Sequence, residues 1–309
     1  MNEQKRQFVA TPAARERVPV WIGIYGPSGS GKTRSALRIA TGIQSVIGGK
    51  IGVLDSESRR AKHYAPTKAG KAEPNTYNFD HAEIVAPFDP MAYFDGIEYL
   101  ASIGCKTIVV DSMSHEHEGP GGVLEQHAAE VERLAREWRT SQGKVNFPAW
   151  NVPKSRRRRA INSMLQLGAN IVFCFRGREK EKPQGDKLID LGHMPIAGEE
   201  WIYEMTLCCL LEPGAEGRPT WKATRPGEHL MIKRVDYLSI VTEIQGQLSE
   251  AHGEALARWA GGGEAKKANG ALAAAEKAIR ALDSDEAGVA LAAQIEGSQK
   301  LTDEEKAAL

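Results

Sequence analysis

The sequence predicts an α/β fold: a mainly parallel sheet flanked by helices, with a small C-terminal helical tail. Three observations carry this. Apolar runs of strand length alternate with segments of helical period. The runs are nearly continuous in their hydrophobicity, residues 18 to 25 being the clearest, as expected of parallel strands covered on both faces. A glycine-rich turn, residues 26 to 33, joins that first run directly to an amphipathic helix.

The elements follow in order. The helix after the glycine-rich turn is predicted over 32 to 43, where Ala36, Leu37, Ile39 and Ala40 recur at helical spacing. Residues 50 to 54 read as a second strand, ending in Asp55-Ser56-Glu57, and the polar stretch 58 to 78 reads as loop or irregular structure. A further strand is expected over 81 to 87. Asp89-Pro90 then opens a helix, with an acid at the cap and proline at the first helical position, and Gly104 closes it. The β-branched run 107 to 110 ends in Asp111. Leu124, Ala128, Val131, Ala135 and Trp138 predict a helix over 122 to 138. A turn-rich segment, 146 to 153, precedes a basic helix starting near Ser155, and 171 to 175 is another buried strand. Residues 205 to 211 and 220 to 223 read as strands paired across a turn-rich stretch, with a helix expected around 236 to 248.

Domain organisation follows from composition. Residues 1–17 read as an N-terminal arm and 18–260 as the core. A flexible linker, 261–270, begins at Gly261-Gly262-Gly263, and 271–309 is an Ala-rich, charged helical tail. Thr302 and Glu305 fit a capping box within that tail.

Among 309 residues, 40 basic ones balance 40 acidic ones, so no global charge bias draws the chain to nucleic acid or membrane. Cys105, Cys174, Cys208 and Cys209 lie in or beside apolar runs without metal-ligand spacing, and read as buried thiols of a reducing compartment. The longest strongly apolar stretch, 205 to 211, is too short to span a bilayer. A cytoplasmic protein is expected.

The turn satisfies the pattern G-x-x-x-x-G-K-[ST] with Gly26, Pro27, Ser28, Gly29, Ser30, Gly31, Lys32 and Thr33. Glycines let successive N–H groups point at the phosphates of a nucleotide, and the following helix adds the positive end of its dipole. Lys32 supplies a point charge, and the Thr33 hydroxyl a position on Mg²⁺. ATP and Mg²⁺ are therefore the expected ligands. Asp111, at the carboxyl end of an apolar strand, fits a Walker B acid that organises the metal. Ser112 follows it rather than a second acid, so the residue that orients the attacking water must come from elsewhere. Glu57 is the leading candidate, on a strand expected to lie beside the phosphate loop. Glu116 and Glu118, in Ser114-His-Glu-His-Glu-Gly119, are its rivals. His115 and His117 are read as hydrogen-bonding residues before metal ligands.

Together, residues 26 to 33, Leu54-Asp55-Ser56-Glu57 and Ile108-Val-Val-Asp111-Ser112 resemble the RecA-like recombinase ATPases. They look most like the short RecA-core ATPases of bacteriophages, implicated in single-strand annealing and recombination. The resemblance covers about residues 18 to 245. It implies a RecA-like P-loop NTPase core, an acid after the second strand that activates water, and DNA-facing loops within 114–155 and 177–195. It also implies a homo-oligomer with ATP at subunit interfaces, in which late basic residues, here Lys222 and Arg225, reach a neighbour's γ-phosphate. Such recombinases usually end the strand after Walker B with a glutamine that senses the γ-phosphate. Here Phe175 is followed by Arg176, which could contact phosphate instead.

The run Lys154-Ser155-Arg156-Arg157-Arg158-Arg159 is expected in the first turn of its helix. Cations are unfavourable there unless an anion lies nearby. With Trp150 and Phe147 just upstream to stack on bases, Trp150, Lys154, Arg156, Arg157, Arg158 and Arg159 are the candidate contacts to single-stranded DNA. Lys180, Lys182 and Lys187 are weaker candidates. The expected function is a Mg²⁺-dependent ATPase acting on single-stranded DNA in phage-type recombination, annealing or replication. The alternatives are a helicase-loader or assembly ATPase whose tail binds a protein partner, and a nucleotide-gated binding module.

Overall fold

The computed structural model describes residues 10, 12–14, 16–71, 73–185, 187–234 and 238–261. The tail expected over 271–309, with its capping box, lies outside the described residues. Seven strands form one sheet: β1 (Trp21–Gly26), β2 (Lys50–Asp55), β3 (Asp80–Glu83), β4 (Cys105–Asp111), β5 (Asn170–Gln184), β6 (Lys187–Pro195) and β7 (Leu207–Leu210). The order is β3-β2-β4-β5-β1-β7, all parallel, and β6 pairs antiparallel with the outer half of β5. The helices are α1 (Lys32–Ile47), α2 (Pro90–Ser102), α3 (Ser114–Glu118), α4 (Val123–Glu137), α5 (Gln142–Val145), α6 (Asn151–Leu165), α7 (Glu199–Glu204), α8 (Glu228–Met231), α9 (Ser239–Thr242) and α10 (Glu250–Ala260). Short 3₁₀ turns occupy Arg60–Tyr64 and Pro148–Trp150.

Strand alternation sorts the core into two layers. Trp21 and Tyr25 of β1, Ile108 and Val110 of β4, and Phe173 and Phe175 of β5 pack with Tyr93 and Ile97 of α2, Ile161 and Met164 of α6 and Trp201 of α7. Ile22, Ile24, Val109, Val172 and Cys174 face the other way, against Leu37, Ile39 and Ile43 of α1 and Leu256 of α10. Both faces of the central strands are thus covered, which is why their sequences are apolar throughout. All four cysteines are buried and unpaired in this core.

The expected elements are found where hydrophobic period is strong, and Asp89 caps α2 through the Met91 N–H at 2.8 Å. Four departures have local causes. The strand expected over 81 to 87 shortens to Asp80–Glu83, an edge strand that stops before Pro87, which has no N–H for a ladder. β5 does not end at 175 but continues through Gln184 as a charged ribbon with β6. Of the helix expected around 236 to 248 the described residues contain only α9, and residues 220 to 223 contribute a single bridge, Leu210 to Thr220. Helix α10 was not foreseen. Its buried face is His252, Gly253, Leu256, Ala257 and Ala260, where Leu256 is the one large aliphatic side chain. The small ones serve close approach: a Cβ on Gly253 would lie 2.1 Å from the Ile39 carbonyl oxygen, and one on Gly42 would lie 1.9 Å from that of Glu250.

Candidate active site

The carboxyl ends of β1, β4 and β5 and the turn after β2 surround one pocket of about 520 Å³. Its walls include Ser28, Gly29, Gly31, Lys32, Thr33, Glu57, Asp111 and Arg176. Gly31 takes φ +96°, a conformation suited to glycine, and an added Cβ would meet the Gly217 N at 2.8 Å. The Gly217 N–H donates to the Ser30 carbonyl at 2.8 Å, so the loop after β7 braces the phosphate loop from outside.

Lys32 Nζ donates to the carbonyls of Gly26 (2.9 Å) and Pro27 (2.7 Å), lying across its own loop. Burial lowers its pKa, and the carboxylates of Asp111 and Glu57 pull in the opposite direction. The Thr33 hydroxyl donates to Asp111 Oδ2 at 2.6 Å. Burial raises the Asp111 carboxyl to about 6, opposed by the Thr33 hydrogen bond and reinforced by the charge of Glu57. A hydroxyl and a carboxylate side by side, both hard oxygen donors, are the donor set that Mg²⁺ prefers.

Glu57 reaches the pocket by a route the sequence did not suggest. Strand β2 is not next to β1; β4 and β5 lie between them. The turn after β2 instead crosses over the end of β4. The Ser56 N–H donates to the Asp111 carbonyl at 2.8 Å, and the Ser56 hydroxyl donates to the Ser112 carbonyl at 2.9 Å. The Asp111–Ser112 peptide in this crossing is cis. Asp55, fully buried, holds the turn: Oδ1 accepts the Glu57 N–H at 2.7 Å, and Oδ2 accepts the Ala61 N–H at 3.1 Å and contacts His81 Nε2 at 3.1 Å. Arg176, the last residue of β5 in register with Gly26, places Nε and Nη2 at 2.9 and 2.8 Å from Glu57 Oε1.

Of the rival acids, Glu116 is fully buried and cannot meet water. Its two oxygens take Arg157 Nε and Nη2 at 2.8 and 2.9 Å. Glu118 does line the pocket. His115 Nδ1 lies 2.7 Å from the Ser56 hydroxyl, and His117 Nδ1 lies 2.9 Å from Arg157 Nη2, so both imidazoles are engaged in hydrogen bonds. Residues 114 to 118 are helical rather than loop. Arg60 and Tyr64, on the 3₁₀ turn after Glu57, also line the pocket and were missed. Both fall within the seven residues following Glu57, in a stretch whose polar composition reads as loop or irregular structure.

The arginine run needs correction. Helix α6 begins at Asn151, so the four arginines occupy its second and third turns, and the helix-dipole argument for a nearby anion falls away. Arg157 points inward, 2% exposed, and also lies 3.4 Å from Glu200. Burial works against its charge and the Glu116 carboxylate outweighs that, leaving its pKa raised. It is a structural ion, not a DNA contact. Arg156 pairs with Asp89 at 2.7 Å. Arg158 and Arg159 are exposed and, among the described residues, unpaired; with Ser155, Asn162, Ser163 and Gln166 they line a shallow stripe free of acids. Trp150 stacks on His127 at 3.9 Å with Lys154 Nζ 5.7 Å from its ring centre, and Phe147 stands 87% exposed beside them. Lys222 is exposed and Arg225 is held by Asp190 at 3.4 Å; neither lines the phosphate pocket of its own chain.

Residues 19–200, more than half of the chain, match the AAA domain family. The chain belongs to that family. No curated protein matches it. The AAA domain assignment agrees with the pocket's build, a P-loop ATPase core for binding nucleotide, and it takes in β1 through β6, every strand that supplies a pocket residue.

Proposed function

We propose that this AAA domain is a Mg²⁺-dependent ATPase of RecA-like core that works on single-stranded DNA, in the manner of the phage recombination and annealing ATPases. The observation that carries the ATPase reading is the convergence of Lys32, Thr33, Asp111 and Glu57 on one pocket, with the second acid, Glu57, delivered from the turn after β2. The loop N–H groups and Lys32 bind and orient the β- and γ-phosphates. Thr33 and Asp111 would hold Mg²⁺, which when bound neutralises phosphate charge. Glu57 accepts a proton from, and so orients, the water that attacks phosphorus in line with the leaving diphosphate oxygen.

Support for DNA lies on two surfaces. One is helix α6 and the turn before it, with the stripe of Arg158 and Arg159 on the helix, Trp150 stacked on His127 just upstream, and Phe147 exposed. The other is the β5–β6 ribbon, where strand alternation sets Arg178, Lys180 and Lys182 on one face and Glu179 and Glu181 on the other. Phosphate release from Mg·ATP, with and without single-stranded DNA, tests both parts. Turnover stimulated by DNA and lost in Lys32→Ala and Glu57→Gln supports the reading. Turnover indifferent to DNA moves the assignment to a partner-dependent ATPase, consistent with the same pocket.

A further inference from the structure

The pocket holds an ion pair that the hydrolysis scheme above does not use, and this inference rests on that scheme. Glu57 has to offer a carboxylate to water, yet Arg176 Nε and Nη2 both sit on its Oε1, at 2.9 and 2.8 Å, while Arg60 Nη1 approaches Oε2 at 3.6 Å. The Glu57 side chain is 15% exposed, so these contacts cover much of what water could reach. A carboxylate bridged in this way is a poor acceptor for a water proton, because its lone pairs already face cations.

We propose that Arg176 is a positioning residue that holds Glu57 closed until a γ-phosphate competes for the guanidinium. Both side chains line the same pocket as Lys32 and Thr33, so the phosphate enters within reach of the pair. The two backbones are fixed. The Arg176 N–H donates to the Ser114 hydroxyl at 2.8 Å, and its carbonyl accepts the Ile196 N–H at 2.8 Å. The Glu57 N–H is tied to Asp55. Exchange therefore needs only side-chain rotation at Arg176, whose side chain is 40% exposed and has room to turn. A terminal phosphate carries more negative charge than one carboxylate and accepts the same fork of N–H donors, so it wins the guanidinium. Glu57 is then released beside the phosphorus at the moment a substrate is present. ADP lacks the competing group and leaves the pair closed.

The proposal predicts a particular non-additivity in ligand binding. Dissociation constants for Mg·ADP and for the non-hydrolysable Mg·AMP-PNP would be measured on wild type, Glu57→Gln, Arg176→Gln and the double variant. Glu57→Gln, which frees the guanidinium, should tighten AMP-PNP roughly tenfold and leave ADP within twofold. In the Arg176→Gln background the same substitution should change AMP-PNP binding by less than twofold. A tightening that persists without Arg176 would show simple charge repulsion between Glu57 and the γ-phosphate and would overturn the latch. Equal effects on ADP and AMP-PNP would overturn it as well. Unchanged ADP affinity certifies that each variant is folded, and failure of wild type to bind either nucleotide would remove the ATPase reading itself, a result distinct from any of these.

Discussion

Asp55 does not itself line the pocket, yet the position of Glu57 depends on it. Its two oxygens satisfy the Glu57 and Ala61 N–H groups and His81, so the turn is built around one buried carboxylate. Asp55→Asn replaces an acceptor by a donor that faces one of those donors, which loosens the turn. Turnover of ATP should fall about tenfold with little change in KM, because the loop and Lys32 that bind ground-state phosphates are untouched. A raised KM at unchanged kcat would place Asp55 in binding instead. At this scale much of the site was legible from the sequence. Residues 26 to 33 and Asp111 announce themselves because a contiguous turn or a strand end fixes their geometry. Arg157 was not legible: its partner Glu116 is 41 residues away, and nothing in an arginine run tells which member turns inward.

Among the elements, α10 shows the cost of burying a histidine. His252 is 1% exposed, and its Nδ1 accepts the Ser249 N–H at 3.1 Å at the start of the helix. Burial pulls its pKa down to about 4, and burial does the same to His117 in α3. A histidine kept neutral in the folded state contributes stability that is present above its unfolded pKa, near 6.5. That contribution is lost as pH falls toward the folded value. For His252 the span corresponds to about 3 kcal/mol. Thermal melts of wild type and His252→Asn should therefore differ most near pH 7.5 and converge by pH 4.5; a gap independent of pH would show that the imidazole does not titrate with unfolding. The helix escaped sequence reading because glycine and alanine, which allow close packing on α1, leave only a short apolar face around Leu256. The β5–β6 ribbon escaped for the opposite reason: its alternation is between charges of opposite sign, a period-two pattern with no apolar face.

For the whole molecule, equal numbers of basic and acidic residues mean that DNA affinity must come from local surfaces. The stripe on α6 offers two arginines that are unpaired among the described residues, and the ribbon face three cations. The logarithm of the binding constant for single-stranded DNA should therefore fall against the logarithm of salt with a slope of about −2 to −4, at roughly 0.7 per phosphate contacted. Arg158→Ala with Arg159→Ala should flatten that slope by about one to one and a half, whereas a slope near zero would argue against a polyanionic ligand. Every thiol of the chain sits inside the sheet or against it, with Cys174 directly behind the phosphate pocket and Cys208 and Cys209 on β7. Burial raises all four thiol pKa values, so the native protein should be inert to alkylating reagents. Modification of Cys174 then records an opening of the central strand β5, and that of Cys208 or Cys209 an opening of β7 at the sheet edge, so the Cys174 alkylation rate becomes a clock for global unfolding. Nucleotide binding should slow that clock, and a single cysteine placed on the surface can carry a probe without competition from the protein's own.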